Sequence, residues 1–320
     1  MPRYVLTRLT LLALGLLAAS AIIFCTLRIL PGDVAQTIVG TEGTPEQVAA
    51  LRAELGLDRP VLLQYLAWIG GVLTGDLGES LLTGAPVAAE LAEKARVTVP
   101  LGLLSLVVAI VIAVPFGVIA ALRRNRVSGA ALNALAQLLA AVPVLWAGMM
   151  LIVVFAIVLG WLPAQGFPRA GWGDPGAALR ALILPALTIG VVEGALLLRF
   201  VRSATLTAID ADFVRTAAAK GHTRTGALLR HGLPAVGLSI ITMLGVQIAG
   251  IVVGAVVIEQ VFNLPGIGRM LVADVGARDL TKVQGELLAL TGFVLIVGFL
   301  IDLVHRAIDP RQRDTAEVQS

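Results

Sequence analysis

Residues 97–122 read VTVPLGLLSLVVAIVIAVPFGVIAAL, a run without one charged side chain. A helix rises about 1.5 Å per residue, so roughly 20 apolar residues cross a hydrocarbon core about 30 Å thick. The run is read as a transmembrane helix, which makes lipid the solvent for much of the chain. Five further segments pass the same test: Leu9–Ile29, Ala130–Leu159, Ala181–Leu198, Ala235–Ile258 and Val283–Val304. The span 181–198 contains Glu193, and the last carries Glu286 and Asp302 near its ends. Composition agrees: 58% of the 320 residues are hydrophobic and 14% charged, with a mean hydropathy of +0.92. Soluble domains carry about 25% charged residues, so an ordinary soluble enzyme is excluded. The expected fold class is an all-α integral membrane protein with six transmembrane helices.

The first span follows Arg3 and Arg8, and Ala19-Ser20-Ala21 imitates a signal cleavage site. The apolar run continues past that site through Ile22, Ile23 and Phe24, longer than a signal peptide's apolar region, so an uncleaved anchor is expected. With the N-terminus inside, the inner segments hold Arg3, Arg8, Arg123, Arg124, Arg126, the basic residues between Arg199 and Arg230, and Arg306, Arg311 and Arg313. The positive-inside rule then puts both termini in the cytoplasm. The long first loop is acidic, with nine Asp and Glu side chains against Arg52, Arg59, Lys94 and Arg96, and belongs outside. The expected organisation is an N-terminal transmembrane helix over 1–30 and an external loop over 31–96. A five-helix core over 97–305 contains the cytoplasmic loop 199–234, and 306–320 form a cytoplasmic tail.

Within the external loop, Thr44-Pro45-Glu46-Gln47 reads as an N-cap, a proline at the first helical position and a capping-box glutamine, with Gly56 as the stop. A second helix is expected over Pro60–Leu73, with Val61, Tyr65, Trp68, Ile69 and Val72 on one face. Pro115, Pro143 and Pro185 lie inside spans, where kinks are tolerated.

Self-contained catalysis finds no support in the motifs. The lysines Lys94, Lys220 and Lys282 follow Glu, Ala and Thr, so no phosphate-binding G-x-x-x-x-G-K-[ST] loop exists. His222, His231 and His305 make no H-E-x-x-H pair, and Ser239 lacks the closing glycine of a G-x-S-x-G elbow. A single cysteine, Cys25, rules out thiolate zinc sites and iron–sulfur clusters. No basic tract interleaved with aromatics invites nucleic acid. The polar side chains inside spans, Asn133, Gln137, Glu193 and Gln247, are the candidates for a translocation pathway, since an ionisable group in a membrane is a functional hypothesis by default.

The informative connection is Arg199–Pro234. Asp210 or Asp212 can open a short helix at its positive end, Phe213, Val214 and Ala217 give it a small apolar face, and Gly221 stops it. A short alanine-rich helix held at the membrane surface suits the groove of another protein. A solvated basic loop is the competing reading.

The stretch Asp212-Phe213-Val214-Arg215-Thr216-Ala217-Ala218-Ala219-Lys220-Gly221, followed by Leu233-Pro234, resembles the E-A-A-x3-G-x9-I-x-L-P loop of bacterial binding-protein-dependent ABC importer permeases. The form is that of the dipeptide/oligopeptide/nickel group, with Thr216 where the wider family has Glu. Other landmarks follow in order: Leu30-Pro31-Gly32-Asp33, Leu55-Gly56-Leu57-Asp58-Arg59-Pro60, Gly75-Asp76-Leu77-Gly78, Glu259–Gly268, Ala277-Arg278-Asp279 and Asp309-Pro310-Arg311. The long first outer loop resembles that of the B-type subunit.

This resemblance implies a type I ABC importer permease fold and a heteromer in the bacterial cytoplasmic membrane. Its other members would be a second homologous permease, two cytoplasmic ATPases that carry ATP and Mg, and an external solute-binding protein; no cofactor would belong to this chain. Asp212, Phe213, Arg215, Thr216, Ala217, Ala218, Lys220 and Gly221 would form the ATPase-coupling helix, and this chain would form half of the pathway. Peptides are the expected solute, with nickel or another metal chelate as the alternative in the same architecture. Rivals from other classes are a secondary transporter, which needs mid-membrane coupling carboxylates beyond Glu193, and an intramembrane hydrolase, which needs paired catalytic groups at one depth.

Overall fold

The computed structural model describes residues 2–29, 34–40, 44–54, 56–221 and 223–308. Leu30–Asp33, Leu55, His222 and the terminal stretch from Asp309, including most of the expected tail, lie outside the described residues. Thirteen α-helices are assigned among the described residues: α1 (Pro2–Ile29), α2 (Val34–Val39), α3 (Pro45–Glu54), α4 (Val61–Leu73), α5 (Val87–Leu122), α6 (Val127–Ala141), α7 (Val144–Leu151), α8 (Pro175–Ile209), α9 (Asp212–Ala219), α10 (Arg224–Ala227), α11 (Leu233–Val261), α12 (Ile267–Ala277) and α13 (Leu280–Ile308). β pairing among them is confined to one isolated bridge, Glu79 with Pro86.

Among the described residues, five helical stretches are long and apolar enough to cross a bilayer: Arg3–Ile29, Val87–Leu122, Pro175–Ile209, Thr225–Val261 and Leu280–Ile308. The expected span 130–159 differs. It is a pair, Val127–Ala141 and Val144–Val158, bent by 100°. Pro143 has no N–H to donate and its ring drives the preceding residue out of the helical region, so Val142 is extended at φ −75° and ψ 123°. Pro115 and Pro185 do not break their helices, because α5 and α8 run through them. Counted as one span, the bent pair makes six.

The chain divides into two compact units, residues 1–98 with 265–296, and 99–264 with 297–320. In the first unit, α3 opens on the expected reciprocal cap. The Thr44 N–H donates to Gln47 Oε1 at 3.0 Å, and the Gln47 N–H donates to Thr44 Oγ1 at 3.4 Å. The same turn holds the Glu46 carboxyl below the usual carboxylate range, chiefly through its own backbone N–H and then through Thr44. Gly56 takes φ +67°, a backbone region that costs a side chain energy but not glycine. On α4, Tyr65 and Trp68 meet Phe24 of α1 at centroid distances of 5.3 and 6.2 Å, and Ser20 hydrogen-bonds the Tyr65 hydroxyl at 2.8 Å. Val61 departs from the expected shared face and is exposed, as are Leu62, Leu63 and Leu66.

Polar groups fasten the rest of this unit. The Ser80 hydroxyl donates to Asp279 at 2.5 Å, and Thr98 Oγ1 accepts the Ile267 N–H at 2.9 Å, where α12 begins. Val87 and Leu91 of α5 pack against Ile267 and Met270 of α12. Lys282 of α13 pairs with Glu90 of α5 and lies 3.0 Å from Asp274 of α12.

In the second unit α8 is the central post. Asp174 caps it by accepting the Ala177 N–H at 3.0 Å, with Pro175 at the first helical position. Small residues let α5 approach: a Cβ on Gly190 would fall 2.6 Å from Val108 and 2.8 Å from the Ser105 carbonyl. Leu197, Leu198, Val201 and Ile209 of α8 join Leu228 and Val236 in one buried cluster.

Candidate functional site

Every residue singled out from the sequence as a site candidate lies in the second unit. The loop after α8 folds as a hinge, a short helix and a return. Asp210 closes α8, and α9 follows over Asp212–Ala219 with Asp212 in its first turn, where a negative charge favours the helix dipole. The Lys220 N–H ends α9 on the carbonyls of Thr216 and Ala217, at 3.1 and 3.2 Å, and Gly221 turns the chain at φ +98°. A Cβ at Gly221 would meet nothing within 4 Å, so the need for glycine is conformational and not one of space.

α9 has two distinct faces. Val214 and Ala217 are buried and pack on Ala227 of α10. Asp212, Phe213, Arg215, Thr216 and Lys220 are exposed, Phe213 at 40%. This corrects the expected apolar face: Val214, not Phe213, joins Ala217 in the buried contact. Helix period does not choose between them, since Phe213 and Val214 stand four and three residues from Ala217; Ala227 of α10 covers Val214 and leaves Phe213 exposed. α9 therefore presents an aromatic ring flanked by charges, with Arg215 3.9 Å from Asp212.

The polar residues inside the spans separate into a bonded pair and two independent side chains. Gln247 of α11 donates from Nε2 to the Glu193 backbone carbonyl at 2.9 Å, and also to the Glu193 carboxylate. Gly250 clears room for that carboxylate, because a Cβ there would sit 2.6 Å from Glu193 Oε1. Asn133 is half-buried and Gln137 exposed on α6, and among the described residues neither hydrogen-bonds to the pair. Sequence reasoning passed over Gly250 and an ion pair of Arg124 with Asp210 at 3.1 Å. The signal for the second was present in part, as a basic turn and an acidic residue at the end of a span.

Residues 113–314 match the family described as binding-protein-dependent transport system inner membrane component, and residues 1–98 match the N-terminal region of such membrane components. The chain belongs to this family. It is similar to a probable peptide ABC transporter permease of Sinorhizobium fredii, at 37% identity over 97% of this chain and 99% of the relative. A glutathione transport system permease of Salmonella choleraesuis is 35% identical over 98% of this chain and 99% of its own. A putative peptide transport system permease of Brucella abortus is 36% identical over 93% and 95%.

This ABC importer permease therefore has the type I importer fold and is a multi-pass inner-membrane protein. It is a permease and not an enzyme, ATP hydrolysis being the work of separate subunits. An ATPase and a solute-binding protein are its partners by membership of the family.

Proposed function

We propose that this chain is the B-type permease subunit of a peptide importer, and that α9 is the helix through which ATP-driven motion reaches the membrane. Support for the solute comes from the relatives, two named for peptides and one for glutathione, itself a tripeptide. The observation that carries the coupling role is the split of α9 into an anchored face, Val214 and Ala217, and an exposed face, Asp212, Phe213, Arg215, Thr216 and Lys220. Phe213 fills an apolar notch in an ATPase groove, and Arg215 and Lys220 meet charges at its rim. Ala218 lies on the same helix, and Gly221 lets the chain turn away at its end.

The working assembly pairs this chain with a second homologous permease, each forming half of the pathway, above two ATPases that bind ATP and Mg. A binding protein docks on the outer side, and both termini lie in the cytoplasm. Nucleotide biases the bundle from one end and loaded binding protein from the other, as two ligands acting on one two-state element. Asn133 and Gln137 offer polar contacts along the pathway, and Glu193 with Gln247 holds α8 to α11 as the bundle moves.

The test is uptake of labelled di- to hexapeptides and of nickel chelates in cells with and without the gene. Loss of peptide uptake alone is expected and gives the length range. Loss of metal uptake alone, or of neither, refutes the peptide assignment.

A further inference from the structure

The first unit contains a cavity of about 520 Å3 lined by the ends of α1 and α3, residues 56–59, α4 and the start of α13. It is separate from every residue assigned above to coupling or to the pathway. Its lining combines three guanidiniums, Arg28, Arg52 and Arg59, with the carboxylates of Glu54 and Asp58 and the aromatic surfaces of Phe24 and Trp68.

Arg28 is set in place by the fold. Gln64 Nε2 donates to the carbonyls of Leu57 and Arg59, at 3.0 and 2.7 Å, which commits the amide oxygen to the other side. Arg28 donates to that oxygen, and its guanidinium carbon lies 5.0 Å from the Phe24 ring centroid. One amide oxygen uses a small part of a guanidinium's five N–H donors. Among the described residues, neither Arg28 nor Arg59 has a carboxylate within ion-pair distance. Arg28 and Arg59 thus bring unused guanidinium donors to one cavity, where an oxyanion would satisfy them.

Position identifies the class of ligand. Arg28 is in the last turn of α1, a membrane-crossing helix whose outer surface is apolar and exposed at Ile22 and Ile29. α4 beside it exposes Leu62, Leu63 and Leu66 and is too short to cross a bilayer. Arginine and aromatic rings at the end of a span mark the headgroup layer.

We propose that this cavity binds the headgroup of an aminophospholipid. The phosphate seats on Arg28 and Arg59, the ammonium faces Asp58, and the acyl chains lie along the exposed leucines of α4. A cavity lined by cations alone would select an anionic lipid, whereas Asp58 and Glu54 select a headgroup that carries both charges. The site is independent of the solute the importer carries.

The experiment uses the purified, fully assembled importer in mild detergent, washed free of loose lipid and exposed to micelles doped with phosphatidylethanolamine or phosphatidylglycerol. Bound lipid is counted by native mass spectrometry. Phosphatidylethanolamine is expected to remain bound in preference to phosphatidylglycerol. Arg28→Ala with Arg59→Ala should weaken its retention by more than about tenfold, the scale of losing two charge-assisted hydrogen bonds. Asp58→Asn with Glu54→Gln, which leaves the arginines in place, should erase the preference between the lipids. Unchanged retention in the arginine double variant overturns the proposal. Displacement of the lipid by a free dipeptide also overturns it, by assigning the cavity to a soluble zwitterion. Should the arginine double variant fail to assemble, the Asp58→Asn, Glu54→Gln result decides.

Discussion

Arg124 Nη1 lies 3.1 Å from Asp210 Oδ2, which ties the turn after α5 to the residue that closes α8, two positions before α9 begins. The side chains are 35% and 48% exposed, so the pair adds about 0–1 kcal/mol to stability. Its importance is positional: it pins the hinge from which α9 hangs. Arg124→Glu is expected to leave assembly intact and to lower solute moved per ATP hydrolysed by up to about fivefold, the equivalent of 1 kcal/mol. Arg124→Asp combined with Asp210→Arg should restore the ratio in proteoliposomes. A ratio unchanged in the single variant would refute the role.

Gly221 takes φ +98° with open space where a Cβ would stand. Any L-residue pays a conformational cost of about 1–2 kcal/mol there, and a β-branched one more. Gly221→Val should allow the complex to reach the membrane yet uncouple ATP hydrolysis from uptake. Gly221→Asn, which tolerates the left-handed region better, should retain more uptake than Val. Equal activity of the two would show that backbone conformation is not what matters here.

Gln247 is the hydrogen-bond donor to the half-buried Glu193 carboxylate. Gln247→Leu leaves the half-buried carboxyl without its amide and is expected to cost about 1–3 kcal/mol. Glu193→Gln keeps an interhelical hydrogen bond, and such bonds inside membranes average about 0.6 kcal/mol, so its cost should be smaller. Thermal unfolding of the purified complex ranks the two. The reverse order would mean that the charge itself is required.

Lys282 is almost wholly buried between Glu90 and Asp274, and the neighbouring Glu286 is fully buried. Lys282→Met removes the cation from a cluster of three carboxyl groups and should destabilise the first unit by about 3–5 kcal/mol. Adding Glu286→Gln should recover part of the loss. Assembly yield and unfolding temperature report both effects, and a lone Lys282→Met of wild-type stability would show the cluster to be dispensable.

Several local features were legible because they depend on neighbours in sequence. The Thr44–Gln47 box formed where its spacing placed it, Gly56 and Gly221 took positive φ, and α9 ended just before Gly221. A cap, a turn and a helix stop are decided within about four residues. Which apolar residue of α9 would turn inward was not legible, because Val214 is buried by Ala227, which lies beyond the turn. Prolines were likewise ambiguous: Pro143 breaks its span, whereas Pro115 and Pro185 lie within continuous helices.

The sequence by itself determined that the chain lives in lipid, where five of its apolar spans fall and which loop resembles a coupling loop. Each of these follows from local hydropathy, helix period or motif spacing. Only the tertiary structure decided who partners whom. Glu193 meets Gln247 across 54 positions, and Lys282 gathers Glu90 and Asp274 from two other helices. A buried polar group must find its partner in three dimensions, since the cost of leaving it unpaired depends on what packs around it and not on what precedes it in the chain.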